Sequence, residues 1–537
     1  MTQLIASITA DTASGAAEEI RRARADGATM IELRLDMMDG VADPDVPALR
    51  EIAVAANVPV LLTLRSTAEG GHWDGSDMDR MSRLIALGGS ADYLDIEWAS
   101  WQRSANLRQK VMLALGRGVE GAPPTDSARR LILSRHDPSG RPRTMQADLL
   151  GMMSESACDV PKLAWRARTV RDNFEAFELM RGAPRPMLAI CMGDEGLPSR
   201  VLAKKFGAFG SFAAIEPGGE AAAGQLTITE MRQRYRWDRI GPATRVYGLL
   251  GDPVSHSIGP IVHNAAYDSL SENAVYLPFR VAAGYESFKA FMVEVLARPW
   301  LDVRGFSITA PHKENALRCA REIGATIDEN AARWGAVNTF VINTDGSLRA
   351  ANTDGPAVLR CATELLGDSL RGQRVAVAGA GGMGRTVAAV LHEAGADVTV
   401  FNRTEERARS VAKGLGCKWE PWDRLLRDPT DLFANGTTLG METPKAASGQ
   451  SQTALPVDRL TPGTCVLDTV YGPGSTRVVT EGKRLGCRVL DGKALFAFQA
   501  ALQQELWFGR SLDESALLNL VESSCSIAIH RRQLPSA

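Results

Sequence analysis

The chain has 537 residues, and at roughly 100–200 residues per domain this length predicts about three domains rather than one core. Apolar residues make up 45% and charged residues 23%, which is typical of a globular protein and excludes a disordered one. The net charge of −2, from 61 basic and 63 acidic residues, argues against a broad surface for nucleic acid or anionic membranes.

No apolar run approaches the roughly 18–20 residues that a membrane span requires, so no membrane partner is expected. The N-terminal sequence MTQLIASITADTASG has neither the pattern of a secretory signal nor a long Arg/Ser-rich leader. We therefore expect a cytoplasmic protein, or a plastid protein if a transit peptide has been removed. The eight cysteines form no CxxC pair, which predicts reduced thiols and no metal site. Nothing in the sequence indicates an oligomeric state.

Short strand-like apolar runs recur through the first 215 residues, and segments with helical spacing of apolar residues separate them. Eight such strand–helix units predict an α/β fold, a (β/α)8 TIM barrel over residues 1–240. In that fold the functional side chains lie at the C-terminal ends of the strands. The predicted strands are Leu4–Ile8, Met30–Leu33, Val60–Leu64, Tyr93–Ile96, Leu131–Leu133, Lys162–Trp165, Met187–Cys191 and Phe212–Ile215.

Several charged residues lie where a packed barrel interior would exclude them unless they served a purpose. Glu32 and Arg34 are two apart, so they point to the same face of their strand. Arg65 ends the third predicted strand, and Asp95 and Glu97 lie on the fourth. The arginines predict an anionic substrate, such as a carboxylate.

Two further residues of this half indicate covalent chemistry. Lys162, in VPKLAW, is either a lysine that reaches solvent at the strand end or an amine that burial keeps neutral. A neutral lysine can attack a carbonyl and form a Schiff base. His136, in SRHD one strand earlier, is either a structural histidine or a general base suited to about pH 7.

A charged segment, MRQRYRWDRIGPATR, separates the barrel from a second α/β region. In that region the strand Arg374–Ala378, the loop GAGGMG and the strand Asp397–Phe401 form a βαβ unit typical of nucleotide binding. We predict a substrate-binding lobe over residues 245–351, completed by C-terminal helices in 497–537, and a Rossmann-like lobe over residues 352–496.

The glycine-rich loop is either an ordinary turn or a loop that approaches a pyrophosphate at a helix N-terminus, and its place between two strands favours the second. The next strand is followed by NRTEER, so Asn402 stands at the strand end. An enzyme that uses NAD would have an acidic residue there to bind the ribose hydroxyls. Arg403, Thr404 and Arg407 offer two cations and a hydroxyl, which favour the 2′-phosphate of NADP. Arg407 alone could also be a solvated helix charge.

The segments IELRLD, TLRSTAEGG, LSRHD and VPKLAW, in this order, resemble type I 3-dehydroquinate dehydratase over about residues 1–230. The resemblance implies that Lys162 forms an imine with the substrate ketone, His136 removes the neighbouring proton and Glu69 supports the histidine. Where the family has Ser-Ala-Pro-Gly-Gln, the chain reads AAAGQ, so Ala221 lacks a substrate hydrogen bond and Ala223 leaves the lid less stiff. The implied substrate-binding residues are Glu32, Arg34, Arg65, Arg200 and Gln225.

In the second half, GDPVSHSIGPIVHN, GFSITAPHKE, GAVNT, NTDG, NGTTLGM, DTVYGPGST and AFQAALQQELW resemble shikimate dehydrogenase over about residues 245–510. The resemblance implies that Lys313 and Asp354 shuttle a proton while NADPH delivers hydride, and a structural salt bridge is the alternative. The implied substrate contacts are Ser257, Thr309, Asn338, Tyr471, Gln499 and Gln503. The candidate cofactor contacts are Gly379, Ala380, Gly381, Gly382, Met383, Gly384, Asn402, Arg403, Thr404, Arg407 and Gly492.

One departure bears on substrate preference. The family's Ser-x-Ser pair, which grips the substrate carboxylate, reads Ser257-Ile258-Gly259 here. Gly259 leaves a void beside ring carbon C1, where quinate carries a hydroxyl and shikimate does not, whereas Thr309 keeps the residue typical of shikimate enzymes. Losing one charge-assisted hydrogen bond costs about 1.5–3 kcal/mol, which can retune preference without abolishing the reaction.

Together the two resemblances imply a bifunctional lyase and oxidoreductase of the shikimate pathway, which leads to aromatic amino acids. The first half would dehydrate 3-dehydroquinate to 3-dehydroshikimate, and the second would reduce that product to shikimate with NADPH. The expected partners are these small molecules and no nucleic acid. Two alternatives remain open, a dehydrogenase half that prefers quinate and a non-catalytic regulator that senses the metabolite.

Overall fold

The computed structural model describes residues 2–117, 129–255, 257–440, 453, 456–471 and 475–532, with side chains as far as Cys525. It divides into two compact units, Met1–Thr244 and Arg245–Ser536. Each unit is an α/β fold built on mostly parallel sheets, so the predicted fold class is confirmed.

The first unit is a curled parallel sheet whose strands follow the order 7-6-5-4-3-2-1-8-9. Ahead of the seventh and eighth strands, Phe209 N donates to Met187 O at 2.8 Å, so the two ends of the sheet meet. All eight predicted strands are present, and the short ninth, which pairs with the end of the eighth, was not predicted. The strands are β1 (Gln3–Ile8), β2 (Met30–Arg34), β3 (Val60–Thr63), β4 (Tyr93–Glu97), β5 (Arg130–Asp137), β6 (Val160–Arg166), β7 (Leu188–Met192), β8 (Gly210–Ala214) and β9 (Leu226–Thr227).

Helices cover the outside of this barrel, and their caps explain where several of them begin and end. The first helix begins after Thr12, whose side chain accepts from Gly15 N, and ends at Gly27, which has a left-handed φ of 103°. The helices are α1 (Ala13–Asp26), α2 (Asp45–Ala55), α3 (Asp77–Leu87), α4 (Trp98–Arg103), α5 (Ala105–Ala114), α6 (Met145–Ser154), α7 (Asp172–Gly182) and α8 (Leu197–Val201).

The barrel interior is built in two layers, because residues two apart on a strand point to the same side. The lower layer is an apolar cluster that includes Ile5, Met30, Leu61, Tyr93, Ile132, Val160 and Leu188. Two residues further along the same strands, the buried upper layer consists of Ser7, Glu32, Thr63, Asp95, Ser134, Lys162 and Ile190. The alternation of the strands therefore collects the polar residues at the C-terminal mouth of the barrel, above a packed apolar floor.

The second unit begins with a mixed sheet in the strand order 11-10-12-14-15-13, in which strand 14 runs antiparallel to both neighbours. Its strands are β10 (Arg245–Gly251), β11 (Ala274–Arg280), β12 (Val303–Ile308), β13 (Thr326–Ile327), β14 (Thr339–Ile342) and β15 (Leu348–Ala351). Its helices are α9 (Gly259–Ser269), α10 (Tyr285–Leu296), α11 (Lys313–Glu322) and α12 (Glu329–Trp334).

A second sheet follows, with six parallel strands in the order 18-17-16-19-20-21. This is the Rossmann order, in which ligands bind where the winding reverses, here between strands 16 and 19. The predicted strands Arg374–Ala378 and Asp397–Phe401 are both present with those bounds. The strands are β16 (Arg374–Ala378), β17 (Asp397–Phe401), β18 (Lys418–Glu420), β19 (Leu432–Asn435), β20 (Cys465–Asp468) and β21 (Val489–Leu490). The helices are α13 (Asp354–Leu366), α14 (Gly382–Glu393), α15 (Glu405–Leu415) and α16 (Arg477–Arg484).

The last two helices, α17 (Gly492–Phe508) and α18 (Glu514–Arg532), return to the first sheet of the second unit, β10 to β15. They pack against α9 in an apolar cluster that includes Val262, Ala500 and Val521. Trp507 Nε1 donates to Phe340 O at 3.0 Å, which fixes α17 on β14. The C-terminal segment predicted to complete the substrate-binding lobe includes residues 533–537, which lie outside the described residues. Among the helices that the structure describes, none is both long enough and apolar enough to cross a bilayer.

Candidate active sites

A cavity of about 220 Å³ opens at the C-terminal mouth of the barrel. All seven site residues predicted in the first half line it, although they come from six different strands, helices or loops. They are Glu32, Arg34, Arg65, His136, Lys162, Arg200 and Gln225.

Lys162 points into this cavity and not out to bulk solvent, since only 4% of the residue is exposed. Its Nζ atom is 2.9 Å from Asp95 Oδ2 on β4 and 4.3 Å from the centroid of the Phe212 ring. Arg65 Nη2 binds the other carboxylate oxygen of Asp95 at 2.8 Å. The sequence indicated a buried lysine, but it did not show that an ion pair across two strands holds it.

His136 faces the same cavity and is oriented by Glu69. The Glu69 carboxylate lies 2.9 Å from His136 Nδ1 and also accepts from the His136 backbone N–H at 2.9 Å. Burial, with the cations Arg65 and Lys162 close by, lowers the pKa of His136 well below its usual value, so its ring is neutral at pH 7. With Nδ1–H donating to Glu69, Nε2 is left unprotonated and can accept a proton.

Glu69 titrates in the range where such a base works. Burial raises the pKa of Glu69 to about 7, although the positive charge of Arg65 opposes the rise. Below that pH the protonated carboxyl no longer stabilises the Nδ1–H tautomer. The protonation state of Glu69 therefore decides, in this pH range, which ring nitrogen of His136 carries the proton.

Two cations and a carboxylate complete the cavity wall. Arg34 is fixed by a bidentate pair with Asp36, at 3.0 and 2.8 Å. Arg200 is buried and has no acidic partner among the described residues, and burial lowers its pKa to about 10. Glu32 accepts hydrogen bonds from Ser7 and Thr63 at 2.8 and 2.9 Å. These groups suit a polyhydroxylated anion, with Arg200 free to bind its negative charge.

The alanine-rich loop closes the cavity through its backbone. Ala221 O accepts from Arg34 Nη1 at 3.0 Å, and Ala221 N donates to Gln225 Oε1 at 2.9 Å. Ala223 O accepts from Arg200 Nη2 at 3.1 Å. The loop is therefore anchored although Ala221 has no hydroxyl to offer a substrate.

A larger cavity of about 1270 Å³ lies in the second unit. All the predicted substrate contacts and the catalytic pair of this half line it: Ser257, Thr309, Lys313, Asn338, Asp354, Tyr471, Gln499 and Gln503. The predicted cofactor contacts that line it are Gly379, Ala380, Gly381, Gly382, Met383, Asn402, Arg403, Arg407 and Gly492.

The other two predicted cofactor contacts, Gly384 and Thr404, are not part of the cavity wall. Gly384 packs against the turn behind it, because a Cβ there would lie 2.2 Å from Gly379 O. Thr404 is the N-cap residue of α15, and its carbonyl accepts from Asn402 Nδ2 at 2.9 Å. Both residues shape the loops rather than face the cavity.

Lys313, at the start of α11, and Asp354, at the start of α13, form a close pair in this cavity. Their Nζ and Oδ2 atoms are 2.7 Å apart, and Asp354 is buried. Asp354 Oδ1 is also buried and has no hydrogen-bond partner among the described residues, so it is available to a ligand. A Cβ on Gly382 would lie 3.1 Å from Lys313 Cβ, so the bare glycine lets the nucleotide loop approach the lysine.

A network of amides and hydroxyls surrounds this pair. Asn338 Nδ2 donates to Thr353 at 2.9 Å and to Gln499 at 3.4 Å. Gln503 accepts from Ser307 at 2.9 Å and donates to Thr339 at 3.1 Å. Such a network fixes donors and acceptors that can read the hydroxyls of a small ligand.

The part of the cavity wall that the glycine loop forms has the features of a dinucleotide site. The helix α14 begins at Gly382, and Gly379 before it has a φ of 111°, which favours glycine. A Cβ on Gly381 would meet no atom within 4 Å, so the backbone is open to a ligand at the helix N-terminus. Arg403 and Arg407 are exposed at the cavity wall without an acidic partner among the described residues, as a 2′-phosphate would require.

Gly259 lies at the start of α9, beside Ser257. Its N–H donates to Ser257 Oγ at 3.0 Å, and a Cβ built on it would lie 3.1 Å from the same oxygen and 3.6 Å from the Tyr276 hydroxyl. The side chain that the glycine lacks would therefore project among hydroxyl groups at the cavity wall.

Sequence reasoning did not assign roles to Ser307, Tyr276 or Arg166, which line the two cavities. Ser307 could have been found, because it lies two residues before Thr309 on the same strand face. Tyr276, in an apolar strand, and Arg166, at the end of β6, carry no such local signal.

Three protein-family models match the chain. They are type I 3-dehydroquinase over residues 4–242, the shikimate dehydrogenase substrate binding domain over 249–340 and shikimate/quinate 5-dehydrogenase over 360–426. A curated protein of Arabidopsis thaliana named bifunctional 3-dehydroquinate dehydratase/shikimate dehydrogenase, chloroplastic, is 32% identical over 524 residues, covering 94% of this chain and 82% of that protein. The chain belongs to the family of bifunctional 3-dehydroquinate dehydratase/shikimate dehydrogenases.

The second half also resembles single-function proteins. The shikimate dehydrogenase (NADP(+)) of Methanosarcina mazei is 36% identical over 275 residues, covering 49% of this chain and 93% of that protein. The crystal structure of shikimate 5-dehydrogenase from Thermus thermophilus in complex with NADP(H) and shikimate has 32% identity and a TM-score of 0.45, covering 52% of this chain and 100% of that one.

Family membership confirms the expected lyase and oxidoreductase of the shikimate pathway and the expected cofactor, NADP. It favours an enzyme with two activities over a non-catalytic regulator.

We expect the dehydratase activity of this bifunctional enzyme to fall as pH decreases through about 7, where Glu69 takes up a proton. Glu69→Gln removes the titrating group, so the acid limb of the kcat/KM profile should flatten while overall activity falls. The measurement is the pH profile of enone formation. The control is Asp148→Asn, since Asp148 lies 4.0 Å from Arg135 and is not hydrogen-bonded to His136. An unchanged acid limb in Glu69→Gln would contradict this prediction.

We expect the double substitution Arg403→Ala, Arg407→Ala to raise KM for NADPH by at least about 10-fold, because charge-assisted hydrogen bonds contribute about 1.5–3 kcal/mol each. KM for NADH, which has no 2′-phosphate, should change little. Arg409→Ala is the matched control, since its guanidinium lies over the Trp419 ring at 4.7 Å and outside the cavity wall. An equal rise for both nucleotides would count against 2′-phosphate recognition.

Proposed function

We propose that Lys162 and His136 carry out the dehydration and that Lys313 and Asp354 carry out proton transfer in the reduction. The observation that carries the first assignment is the buried Lys162 amine in the same cavity as the oriented His136 ring. The 2.7 Å pair of Lys313 and Asp354 supports the second.

In the proposed dehydration, the Lys162 ammonium first gives up a proton, and the neutral Nζ attacks C3 of the 3-dehydroquinate ketone. That proton and a second proton from Nζ pass to the ketone oxygen, which leaves as water to give an iminium ion with one proton on nitrogen. His136 Nε2 then removes a proton from C2, and the electron pair moves to the iminium nitrogen. The electrons return as the C1 hydroxyl leaves with the proton held by His136. Water hydrolyses the conjugated imine, which releases 3-dehydroshikimate and restores the lysine.

Arg200 is the best-placed group for the substrate carboxylate, because it is buried, positively charged and without an acidic partner among the described residues. Glu32, Arg34, Arg65 and Gln225 are fixed by their own hydrogen bonds and ion pairs, which supports a role in binding the substrate hydroxyls. Preorganised partners of this kind hold the ring with its C2 proton toward the histidine.

In the proposed reduction, NADPH supplies the hydride for the ketone carbon. The glycine loop and the N-terminus of α14 would hold its pyrophosphate, and Arg403 and Arg407 its 2′-phosphate. Lys313 donates a proton to the ketone oxygen, and Asp354 holds the lysine and takes part in its reprotonation. Ser257, Thr309, Asn338, Tyr471, Gln499 and Gln503 are proposed to orient the substrate.

We also propose the division into a dehydratase barrel over residues 1–240, a substrate-binding lobe over 245–351 with the C-terminal helices and an NADP-binding lobe over 352–496. The compact units and the residues that the family models match support these boundaries. The compartment stays a prediction, either the cytoplasm or a plastid after removal of a leader.

Quinate is the second candidate substrate of the dehydrogenase half, and Gly259 is the observation that favours it. Ser257 alone supplies the hydroxyl of the Ser-x-Ser position, and Gly259 adds neither a second hydroxyl nor a side chain beside it. Oxidation of quinate and shikimate compared on the purified enzyme separates the two candidates.

We expect Lys162→Arg to lower dehydration by at least about 1,000-fold, or about 4 kcal/mol of transition-state stabilisation, because a guanidinium cannot form the imine. Borohydride with 3-dehydroquinate should inactivate the dehydratase of the native enzyme and spare the dehydrogenase. Enone absorbance and NADPH loss are followed together with 3-dehydroquinate as substrate.

The matched variant for this experiment is Asp354→Asn. It should lower the reduction by about 10²–10⁴-fold, the usual range for a lost acid–base group, and leave enone formation unchanged. Normal dehydration by Lys162→Arg would exclude the assignment of Lys162.

We expect Gly259→Ser to raise the preference for shikimate over quinate, measured as the ratio of kcat/KM values, by about 10-fold or more, because the new hydroxyl restores one charge-assisted hydrogen bond. Gly259→Ala adds the Cβ without the hydroxyl, so it separates filled space from hydrogen bonding. Equal changes in both variants would mean that space alone decides the preference.

A further inference from the structure

We propose that Asp95 is the counter-ion of the positively charged imine formed on Lys162 and that its carboxylate keeps the imine nitrogen protonated during dehydration. This inference rests on the proposed role of Lys162. It makes Asp95 a positioning residue, because it acts through the lysine nitrogen.

The Asp95 carboxylate is buried and contacts a cation or a hydroxyl group from each of three neighbouring segments. Lys162 Nζ, on β6, lies 2.9 Å from Oδ2. Arg65 Nη2, just after β3, lies 2.8 Å from Oδ1, and the Ser134 hydroxyl on β5 donates to Oδ1 at 2.5 Å. The two oxygens are thus held separately, with Oδ2 directed at the lysine.

The surrounding charges are arranged so that this carboxylate is the partner of the lysine. Arg65 also lies 3.5 Å from Glu97 and 3.5 Å from Glu69, and Arg80 binds Glu97 at 2.9 Å. Glu69 is occupied with His136, and Glu32 with Ser7 and Thr63. Among the described residues, Asp95 is the carboxylate within ion-pair distance of Lys162 Nζ.

Asp95 stays ionised in this setting. Burial alone would raise its pKa, but Arg65 and Lys162, with a smaller effect from the Ser134 hydrogen bond, hold that pKa far below the usual value. Arg34, on β2, faces the same cavity but is paired with Asp36. A permanent negative charge is therefore fixed beside the reacting nitrogen.

Imine formation conserves the charge that this carboxylate faces. The Nζ atom forms a C=N bond to the substrate, the ketone oxygen leaves as water, and the protonated product is a cation like the ammonium before it. When His136 removes the C2 proton, the electron pair moves to this nitrogen and neutralises it, so the imine must be protonated to accept the pair. Asp95 opposes loss of that proton, because its negative charge stabilises the protonated imine. If the imine became neutral, the buried carboxylate would lose this partner.

The first test uses the native full-length enzyme, labelled with ¹⁵N at the lysine Nζ atoms and saturated with 3-dehydroquinate, which it converts to bound product. The nitrogen resonance of the Lys162 imine is followed as pH is raised. We expect the imine to remain protonated up to about pH 9, beyond the range in which the neighbouring histidine works. An imine nitrogen that is unprotonated at about pH 7 would overturn the proposal.

The second test compares Asp95→Asn with Ser134→Ala. In Asp95→Asn, the alkaline limb of dehydratase kcat, which reports ionisations of the enzyme–substrate complex, should move down by at least about one pH unit, because the imine would bind its proton about tenfold more weakly. Borohydride trapping of the imine should weaken over the same range. Ser134→Ala removes one hydrogen bond to the same carboxylate and keeps its charge, so its alkaline limb should stay within about 0.3 pH unit of the native one. Equal displacement in both variants would mean a structural role and would overturn the proposal.

The outcomes separate this inference from the proposed function. Failure of borohydride to trap Lys162 in the native enzyme would refute the proposed function itself. Normal trapping, combined with an alkaline limb that Asp95→Asn does not move, would refute the counter-ion alone. If Asp95→Asn does not fold, as judged by its melting curve, the nitrogen resonance of the native enzyme decides.

Discussion

Buried charge at the mouth of the barrel is the constraint on which the dehydratase half depends. Removing an ion from water costs several kcal/mol even after relaxation, so neither Lys162 nor Asp95 could be retained there alone. Each is retained because it meets an opposite charge across neighbouring strands, with Arg65 as the third member. The apolar layer beneath excludes water, which strengthens these interactions and keeps the catalytic groups in one arrangement.

Both halves place a lysine beside a buried aspartate, but the surroundings of the two pairs differ. In the barrel both oxygens of Asp95 are engaged, and the nearby histidine is neutral, so the site suits a cation that stays in place. In the second half Asp354 keeps one buried oxygen without a partner among the described residues. That difference fits a nitrogen that carries a covalent adduct in one site and a nitrogen that exchanges protons in the other.

Most of the fold could be predicted because parallel strands covered on both faces appear as separate apolar runs. The eight barrel strands and the βαβ unit follow from such runs and from the glycine loop. The two-residue strand β9 is too short to have a period, and the reversal at β14 depends on pairing with strands distant in sequence.

The sequence predicted which residues line the two cavities better than it predicted the contacts between them. Resemblance selected residues that line the two cavities, with two exceptions. Gly384 packs against Gly379, and Thr404 is the N-cap residue of α15, without a side-chain capping hydrogen bond. The partner of Lys162 could not be inferred, since Asp95 is 67 residues away and only the barrel register brings them together. The sequence also could not show which tautomer of His136 is favoured, because the contact of Nδ1 with Glu69 likewise joins residues 67 positions apart.

The loop over the barrel mouth is held by its backbone, so its side chains can change while its position stays the same. Its position is specified by the carbonyls of Ala221 and Ala223 and by one N–H, all of which any residue other than proline can provide. The side chains at these positions are therefore not needed to hold the loop in place. Substitutions at these positions can therefore change the contacts with the substrate one residue at a time, while the backbone of the loop keeps its position.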